Sequence, residues 1–378
     1  MTLASRCLPR FSSRRALRST VRPLALLAAG LTLAGLAQAQ SSVTISGTLD
    51  IGVSRKTGGT THLGTIGRSN LAFSGTEDLG GGLAATFKLN TRFDVDTGTQ
   101  EDSDAQRPYW KAESTVGLKG GFGAVRLGRA LTPLWELSWA YDAWYNNDRI
   151  ASPQWFAFAP DYLSNPQTRE YSRLNNGIFY DSPTWNGFSA HVSAAVQRDE
   201  QDLARGLSGA VRYQSGPLSA MVGLERNSQK DEVAFVGASY QLLPQLQLMA
   251  GYSHVKLNRE GEIFGAAWTN WAGASQPHAK RTALTLSGIY TVGASSFKLG
   301  YARDFQGATD GFNYIGSTFA DAGTHHSGPI TQVSVGYAYA LSRRTRLFAD
   351  LSRVQWRFTD DQGRRSALGY AVGMTHAF

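Results

Sequence analysis

The feature that most constrains this sequence is an alternation of apolar and polar residues that recurs almost to the last position. It is clearest in residues 43–54, where odd positions are apolar or glycine and even positions are polar or glycine. A period of two puts these two sets of side chains on opposite faces of an extended strand. Residues 68–93 repeat the pattern around a turn expected at 76–82, whose three glycines suit the positive φ of a tight reversal. The sequence therefore predicts antiparallel hairpins.

Sixteen such segments occur in the chain, and short turns alternate with long loops between them. They are 43–54, the two arms of 68–93, 108–119, 123–130, 171–181, 187–197, 206–215, 218–226, 232–241, 245–257, 281–291, 296–305, 329–340, 345–357 and 366–378. Strands of about 9–11 residues cross a bilayer, where a sheet must close because its backbone has no water to bind. The pattern predicts an all-β fold, a transmembrane antiparallel β-barrel of 16 strands with short periplasmic turns and long external loops. The alternative, a secreted soluble all-β protein, accounts for the alternation but not for the even count and the loop asymmetry.

The first 39 residues have the pattern of a secretory signal peptide. Six arginines and no acidic residue precede an apolar run at 24–36, which Ala37-Gln38-Ala39 follows. We expect residues 1–39 to be cleaved and residues 40–378 to form the barrel in the outer membrane of a Gram-negative cell. This segment holds the only cysteine, Cys7, and six of the 37 basic residues, so 31 basic and 29 acidic residues remain, a net charge of +2. We therefore expect neither a nucleic-acid partner nor thiol chemistry in the mature chain.

Five segments of the sequence carry a resemblance to a known family. They are GTEDLGGGLAATFKL (75–89), GLKGGFGAVRLGRALTPL (117–134), RLNNGIFYDSPTWNGF (173–188), GYAYALSRRT (336–345) and GYAVGMTHAF (369–378). In this order they resemble the general trimeric porins of Gram-negative bacteria, in their β-proteobacterial form. The resemblance implies a homotrimer of barrels, surrounded by outer-membrane lipid and lipopolysaccharide, through which small hydrophilic solutes diffuse passively. It also implies that the third external loop, residues 131–170, folds into the lumen and that the barrel-assembly machinery reads the terminal Phe378.

Charged residues near the expected narrowing are the candidates for setting ion preference. By strand parity, Lys88, Arg92 and Arg126 point into the lumen, because their apolar neighbours point outward. The resemblance adds Arg173 to this basic wall and puts Arg129 at the base of the inward loop. The acidic candidates on that loop, expected to face the wall, are Glu136, Asp142 and Asp148. The alternative is that each is a solvated wall residue with no special role, since lumen faces are polar by default.

Departures from the family pattern limit what the resemblance implies. Thr48, Asn70 and Ala112 stand where classical porins carry further basic wall residues, so ion selectivity is not carried over. The parity of residues 109–118 is ambiguous, and neither Lys111 nor Glu113 receives a role in the lumen.

Two loops have more than one possible role. The aromatic residues between 135 and 155 suit either sugar binding or packing of the loop onto the wall, and packing is favoured. The acidic loop 94–104 is expected to be solvated or to contact a neighbouring subunit.

No catalytic, phosphate-binding or metal-binding motif occurs, so we expect no enzyme activity, no cofactor and no metal. A substrate-selective channel, a barrel enzyme and an adhesin remain as alternatives.

Overall fold

Sixteen long strands close into an antiparallel barrel in a computed structural model of this chain. The structure describes residues 42–101, 108–154, 172–198, 200, 202–256, 258, 280–305, 329–357 and 363–378. The last strand pairs with the first, with Thr48 opposite Ala377, so the sheet leaves no free edge. The sequence prediction of a closed barrel with 16 strands is confirmed. The expected signal peptide, residues 1–39, lies outside the described residues.

The strands follow one another around the wall as successive hairpins. They are β1 (Ser42–Lys56), β2 (His62–Gly64), β3 (Ser69–Gly80), β4 (Leu83–Phe93), β5 (Glu113–Gly120), β6 (Gly123–Leu131), β7 (Arg173–Asp181), β8 (Phe188–Ala195), β9 (Leu207–Ser215), β10 (Leu218–Arg226), β11 (Glu232–Leu243), β12 (Leu246–Lys256), β13 (Lys280–Val292), β14 (Ser295–Asp304), β15 (Ile330–Ala340), β16 (Thr345–Trp356) and β17 (Ser366–Ala377). The short β2 belongs to the first external loop and adds to β1 without joining the sixteen. Helical structure among the described residues is confined to the third external loop and includes α1 (Pro133–Ser138) and a 3₁₀ turn (Trp139–Tyr141). No helix in the described part of the chain is both long and apolar enough to span a membrane.

The two largest differences from the expected boundaries have identifiable reasons. The first turn is shorter than 76–82, because β3 continues with a bulge to Gly80 and three successive glycines adopt positive φ. Strand β5 begins at Glu113 rather than at 108. Arginine side chains, not a neighbouring strand, bind the carbonyls just before it: Arg129 Nε donates to Lys111 O at 3.0 Å and Arg173 Nε to Ala112 O at 2.8 Å.

The alternation of the sequence separates a lipid face from a lumen face. On β14, Phe297 and Leu299 are 49% and 61% exposed on the outside of the barrel. Their neighbours Lys298 and Gly300 point inward, where Gly300 lies under the third loop. The exposed apolar residues form the band that lipid requires, since an outer face without this band would leave polar groups in hydrocarbon.

Candidate constriction of the lumen

The third external loop (residues 132–172, here called the inward loop) is described at residues 132–154 and 172, and this part packs against the inside of the barrel. Its helix α1 and 3₁₀ turn bury Leu134, Trp135 and Tyr141 against Met221 of β10 and Phe235 of β11. These wall residues are apolar although they face the lumen, because the loop covers them. The described part of the loop confirms the expectation that it folds inward. Trp135, Tyr141 and Trp144 are buried in this packing, whereas Tyr145 is 51% exposed.

A second group of contacts fixes the far side of the inward loop. Trp144 Nε1 donates to Asp350 Oδ1 on β16 at 2.6 Å, and the backbone amide of Ala143 donates to Ser287 Oγ on β13 at 3.0 Å. The ring of Trp144 lies over Gly300 and Gly336, where a Cβ would come within 2.9 Å of it. These glycines admit the aromatic ring because they carry no side chain. The loop is thereby attached to both sides of the barrel and narrows the lumen between them.

One arginine links the inward loop to the wall. Arg126 on β6 contacts three carboxylates, each at 3.2 Å: Glu113 of β5, Glu136 of the loop and Asp181 of β7. Arg126 is only partly exposed, whereas Glu136 keeps 44% of its side chain accessible. The ion pair between Arg126 and Glu136 therefore connects β6 to the inward loop.

The same wall carries acidic residues that sequence reasoning missed. Glu113 also binds Lys88, with Nζ 2.7 Å from Oε2, and Asp181 binds Nδ1 of His191 at 2.7 Å. The wall around Arg126 is therefore not purely basic. It contains three carboxylates and two permanent cations, Arg126 and Lys88. Glu113 lies in the segment of ambiguous parity, and its pairing with Asn90 across β4 places it on the lumen face.

Arg92 belongs to a different cluster nearer the external rim. It lies 3.7 Å from Glu101, which also pairs with Lys111 at 3.0 Å and with Arg149 of the inward loop. Burial acts to raise the pKa of Glu101, but Arg149, Lys111 and Arg92 outweigh it and hold the pKa well below its usual range. The acidic loop is therefore not simply solvated, as the sequence suggested. Through Glu101 it is tied to the inward loop.

Two basic candidates are buried behind the lumen surface. Arg173 is 1% exposed and uses its guanidinium on Ala112 O and Ser172 Oγ, so it does not line the lumen as the resemblance implied. Arg129 binds Asn175 Oδ1 and Lys111 O, and these contacts join β6, after which the inward loop begins, to β7 and to the segment just before β5. The role at the base of the loop that the resemblance implied for Arg129 stays a prediction.

The remaining acidic candidates of the inward loop turn away from the basic wall. Asp142 accepts hydrogen bonds from the amide of Asn146 and from Ser152 Oγ, and Asp148 accepts from the amides of Ile150 and Ala151. Burial raises the pKa of both carboxyls. Of the three acidic candidates, Glu136 is therefore the one that contacts the basic wall, whereas Asp148 lies against Asp350 of β16. Asp142 and Asp148 shape the loop, because unpaired amides in its buried turns would be costly.

The cluster around Glu101 predicts an acid-sensitive attachment between the two loops. Because the folded pKa is depressed, the ionised carboxylate contributes stability that is fully present above its ordinary value of 4.5 and is lost as pH falls through the folded value. We expect amide hydrogen-exchange protection around Arg149 to stay constant from about pH 7 to 5 and to fall below that window. In Glu101→Gln the protection should be low at every pH. Unchanged protection in this variant would contradict the assignment.

A closed barrel with an apolar outside, a polar lumen and an inward loop defines a membrane channel that narrows part-way along its length. Residues 24–357 match the family model described as Gram-negative porin, and the chain belongs to this family. It is similar to "Outer membrane porin protein 32" of Delftia acidovorans, with 29% identity over 96% of this chain and 100% of the relative. "Major outer membrane protein P.IB" of Neisseria lactamica is 26% identical over 92% of this chain and 98% of its own.

Solved structures agree with this assignment. The "Anion-selective porin from Comamonas acidovorans" has a TM-score of 0.69 and 27% identity, covering 90% of this chain and 100% of that one. OmpT of Vibrio cholerae, at 14% identity and a TM-score of 0.60, covers 89% of this chain and 99% of its own and supports the fold alone. The protein is an outer-membrane channel for passive diffusion. Within the described residues no group of potential ligands suits a metal ion.

Proposed function

We propose that ions and small hydrophilic solutes pass between the inward loop and the wall around Arg126, and that this network sets the ion preference. The observation that carries the proposal is the triple contact of Arg126 with Glu113, Glu136 and Asp181 at 3.2 Å. Lys88 extends the network, and its side chain is 45% exposed. Charges fixed at the narrowest point act on a passing ion where water screens them least.

The balance of charges distinguishes this wall from a simple basic row. Three carboxylates neutralise Lys88 and Arg126, so we expect this side alone to give little preference for anions. The relative from Comamonas acidovorans is described as anion-selective. We do not extend anion selectivity to this chain. Its wall has fewer basic residues, because Thr48, Asn70 and Ala112 stand at positions that are basic in classical porins, and Arg173 is buried. Arg92 and the buried Asp142 and Asp148 are proposed to act on ions only indirectly, by holding the loops.

Substitutions at the two ends of the Arg126–Glu136 pair should shift ion preference in opposite directions. At about 6 Å in a water-like medium one charge is worth roughly 0.7 kcal/mol, a factor of about 3 in ion partition. Arg126→Gln should therefore move the permeability ratio towards cations by about that factor, and Glu136→Gln towards anions. Reversal potentials under a salt gradient measure both.

The control for this experiment is Lys119→Gln, which removes one cation from the exposed periplasmic end of β5. Its effect should be smaller, because the lumen is wide and wet there. Ion preference that shifts equally in all three variants, or in none, would mean that the Arg126 network does not form the narrowest point.

We further propose the partners that the family resemblance implies. The chain assembles as a homotrimer in lipid and lipopolysaccharide, after removal of residues 1–39 and recognition of Phe378 by the barrel-assembly machinery. In support of the last step, Phe378 exchanges two backbone hydrogen bonds with Gly47 at 3.1 and 3.2 Å, the contact that completes closure onto β1. We propose no enzymatic role, since the relatives are porins.

A further inference from the structure

The outer face of the barrel carries a groove that the passage of solutes does not use. It is a cavity of about 910 Å³ across strands β7 to β12, near their external ends. Met221 and Val233 of these strands pack on the inward loop inside the barrel, so Leu224 and Ala234, which have the opposite parity, point outward. Both outward residues line the groove, which therefore opens towards lipid and not towards the lumen.

Small outward side chains give the groove its depth. Ala194 of β8, Gly209 of β9 and Ala234 of β11 line it between longer, exposed apolar residues: Ile178, Val192, Leu207 and Leu224. A Cβ on Gly209 would meet no atom closer than 3.8 Å, so the space above this glycine is open. An apolar recess that faces hydrocarbon suits a flexible acyl chain, because an unfilled recess loses dispersion contacts.

A row of charged residues closes the external end of the groove. Arg226 lies opposite Glu232, Glu232 opposite Lys256, and Lys256 opposite Lys280 on successive strands from β10 to β13. The row holds three cations and one carboxylate, and outward charges of this kind cost little only near the membrane interface. Outward residues at the periplasmic ends of β10 to β12 are uncharged, as at Leu218, Tyr240 and Leu248.

The cations that line the groove are only loosely paired. Nζ of Lys256 lies 3.8 Å from Oε2 of Glu232, too far for a hydrogen bond, and both side chains are more than half exposed. Nε of Arg226 has no hydrogen-bond partner among the described residues. A phosphate group accepts several hydrogen bonds from arginine and lysine, and this row offers both within reach of the apolar recess.

From this geometry we propose that the groove binds the lipid A part of lipopolysaccharide, with an acyl chain over Gly209 and Ala234 and a phosphate at Arg226 and Lys256. Lipid A combines phosphate groups with several acyl chains, which matches a basic row above an apolar recess. The groove lies at the external ends of the strands, on the side of the leaflet that holds lipopolysaccharide. The inference rests on the proposed setting of the barrel in this lipid, and it adds where one molecule is held and by which groups.

The test measures binding of diphosphoryl lipid A to the purified barrel in detergent, without divalent cations, by native mass spectrometry. The parent should bind lipid A more tightly than phosphatidylethanolamine, which has acyl chains but no net charge. Arg226→Gln and Lys256→Gln should each raise the Kd about threefold, the effect of one charge at about 6 Å in a water-like medium. Glu232→Gln, which removes the competing carboxylate, should lower the Kd by a similar factor.

A second variant tests the apolar part of the groove without a change of charge. The leucine side chain of Gly209→Leu would occupy the recess and should weaken the binding of lipid A several-fold. The matched variant is Ala220→Leu, on the outward face of β10 nearer the periplasm and outside the groove. It should leave the Kd unchanged.

The control for charge is Arg353→Gln, which removes an exposed cation from the outward face of β16, away from the groove. Equal weakening in Arg353→Gln and Arg226→Gln would show only the general attraction of a basic rim and would overturn the site. Equally tight binding of phosphatidylethanolamine by the parent, or weaker binding of lipid A in Glu232→Gln, would also contradict it.

Failure of the site can be distinguished from failure of the functions proposed above. Lipid A binding that stays the same in Arg226→Gln, Lys256→Gln and Gly209→Leu would overturn the groove but leave lipopolysaccharide as a partner of the barrel. Single-channel conductance shows that each variant is a folded, open barrel. This conductance does not depend on lipid A, so the lipid site and the channel are tested separately.

Discussion

Replacing Leu299 with arginine is expected to lower the free energy of unfolding by about 2–4 kcal/mol, the cost of a charge near the middle of the lipid face. Leu299 lies at the centre of β14 and is 61% exposed on the outside of the barrel. The adjacent Lys298 carries a charge in the native protein without this cost, because its side chain points into the lumen. A single step along the strand therefore separates a tolerated cation from a harmful one.

The matched variant is Ser296→Arg, which places the same side chain on the lumen face of the same strand. Its cost should stay below about 1 kcal/mol, since the guanidinium remains in water. Urea-dependent unfolding in lipid vesicles, followed by tryptophan fluorescence, gives both values. Equal destabilisation by the two arginines would mean that β14 does not separate a lipid face from a wet one.

The second large effect is expected from Trp135→Ala, which should release the inward loop from the wall and widen the lumen. Trp135 is fully buried between Leu134, Met221 and Phe235. Removing a buried tryptophan side chain typically costs about 3–5 kcal/mol, which is large for the attachment of a single loop. We expect a higher single-channel conductance and faster entry of larger sugars in liposome swelling, with the barrel itself intact.

The control for loop release is Trp185→Ala in the turn between β7 and β8. Trp185 is 57% exposed and lies away from the inward loop, so its removal should leave conductance unchanged. Conductance that rises in both variants would point to a general loosening of the barrel. Conductance that stays at the parent value in Trp135→Ala would show that the buried cluster does not hold the loop in place.

The barrel could be predicted from the sequence because its main signal is local. The two faces of β14 can be identified within ten residues, because Phe297, Leu299 and Tyr301 alternate with residues that point into the lumen. The strand count follows from the number of alternating segments, and closure follows from the requirement that every backbone group in lipid be paired. The two boundaries that differ most lie at a bulge in β3 and at the start of β5, where side chains such as Arg129 replace backbone partners.

The constriction was harder to predict because it depends on register and on loop geometry. A bulge between Gly128 and Ala130 shifts the pairing of β6 with β7, so the lumen face of β6 gives no support to the role that the resemblance implied for Arg173. The roles of Asp142 and Asp148 depend on which backbone amides turn towards them, and this cannot be read from residue types. Glu113 and Asp181 were missed because each becomes significant only when three strands bring them around Arg126.

The central claim, a water-filled channel narrowed by the inward loop, is tested most directly by single-channel recording of the purified barrel in planar bilayers. We predict stable openings whose conductance rises roughly in proportion to the conductivity of the bathing salt, as for ions moving in water through a polar lumen. A folded barrel that produces no openings, or whose conductance saturates at low salt, would contradict the account.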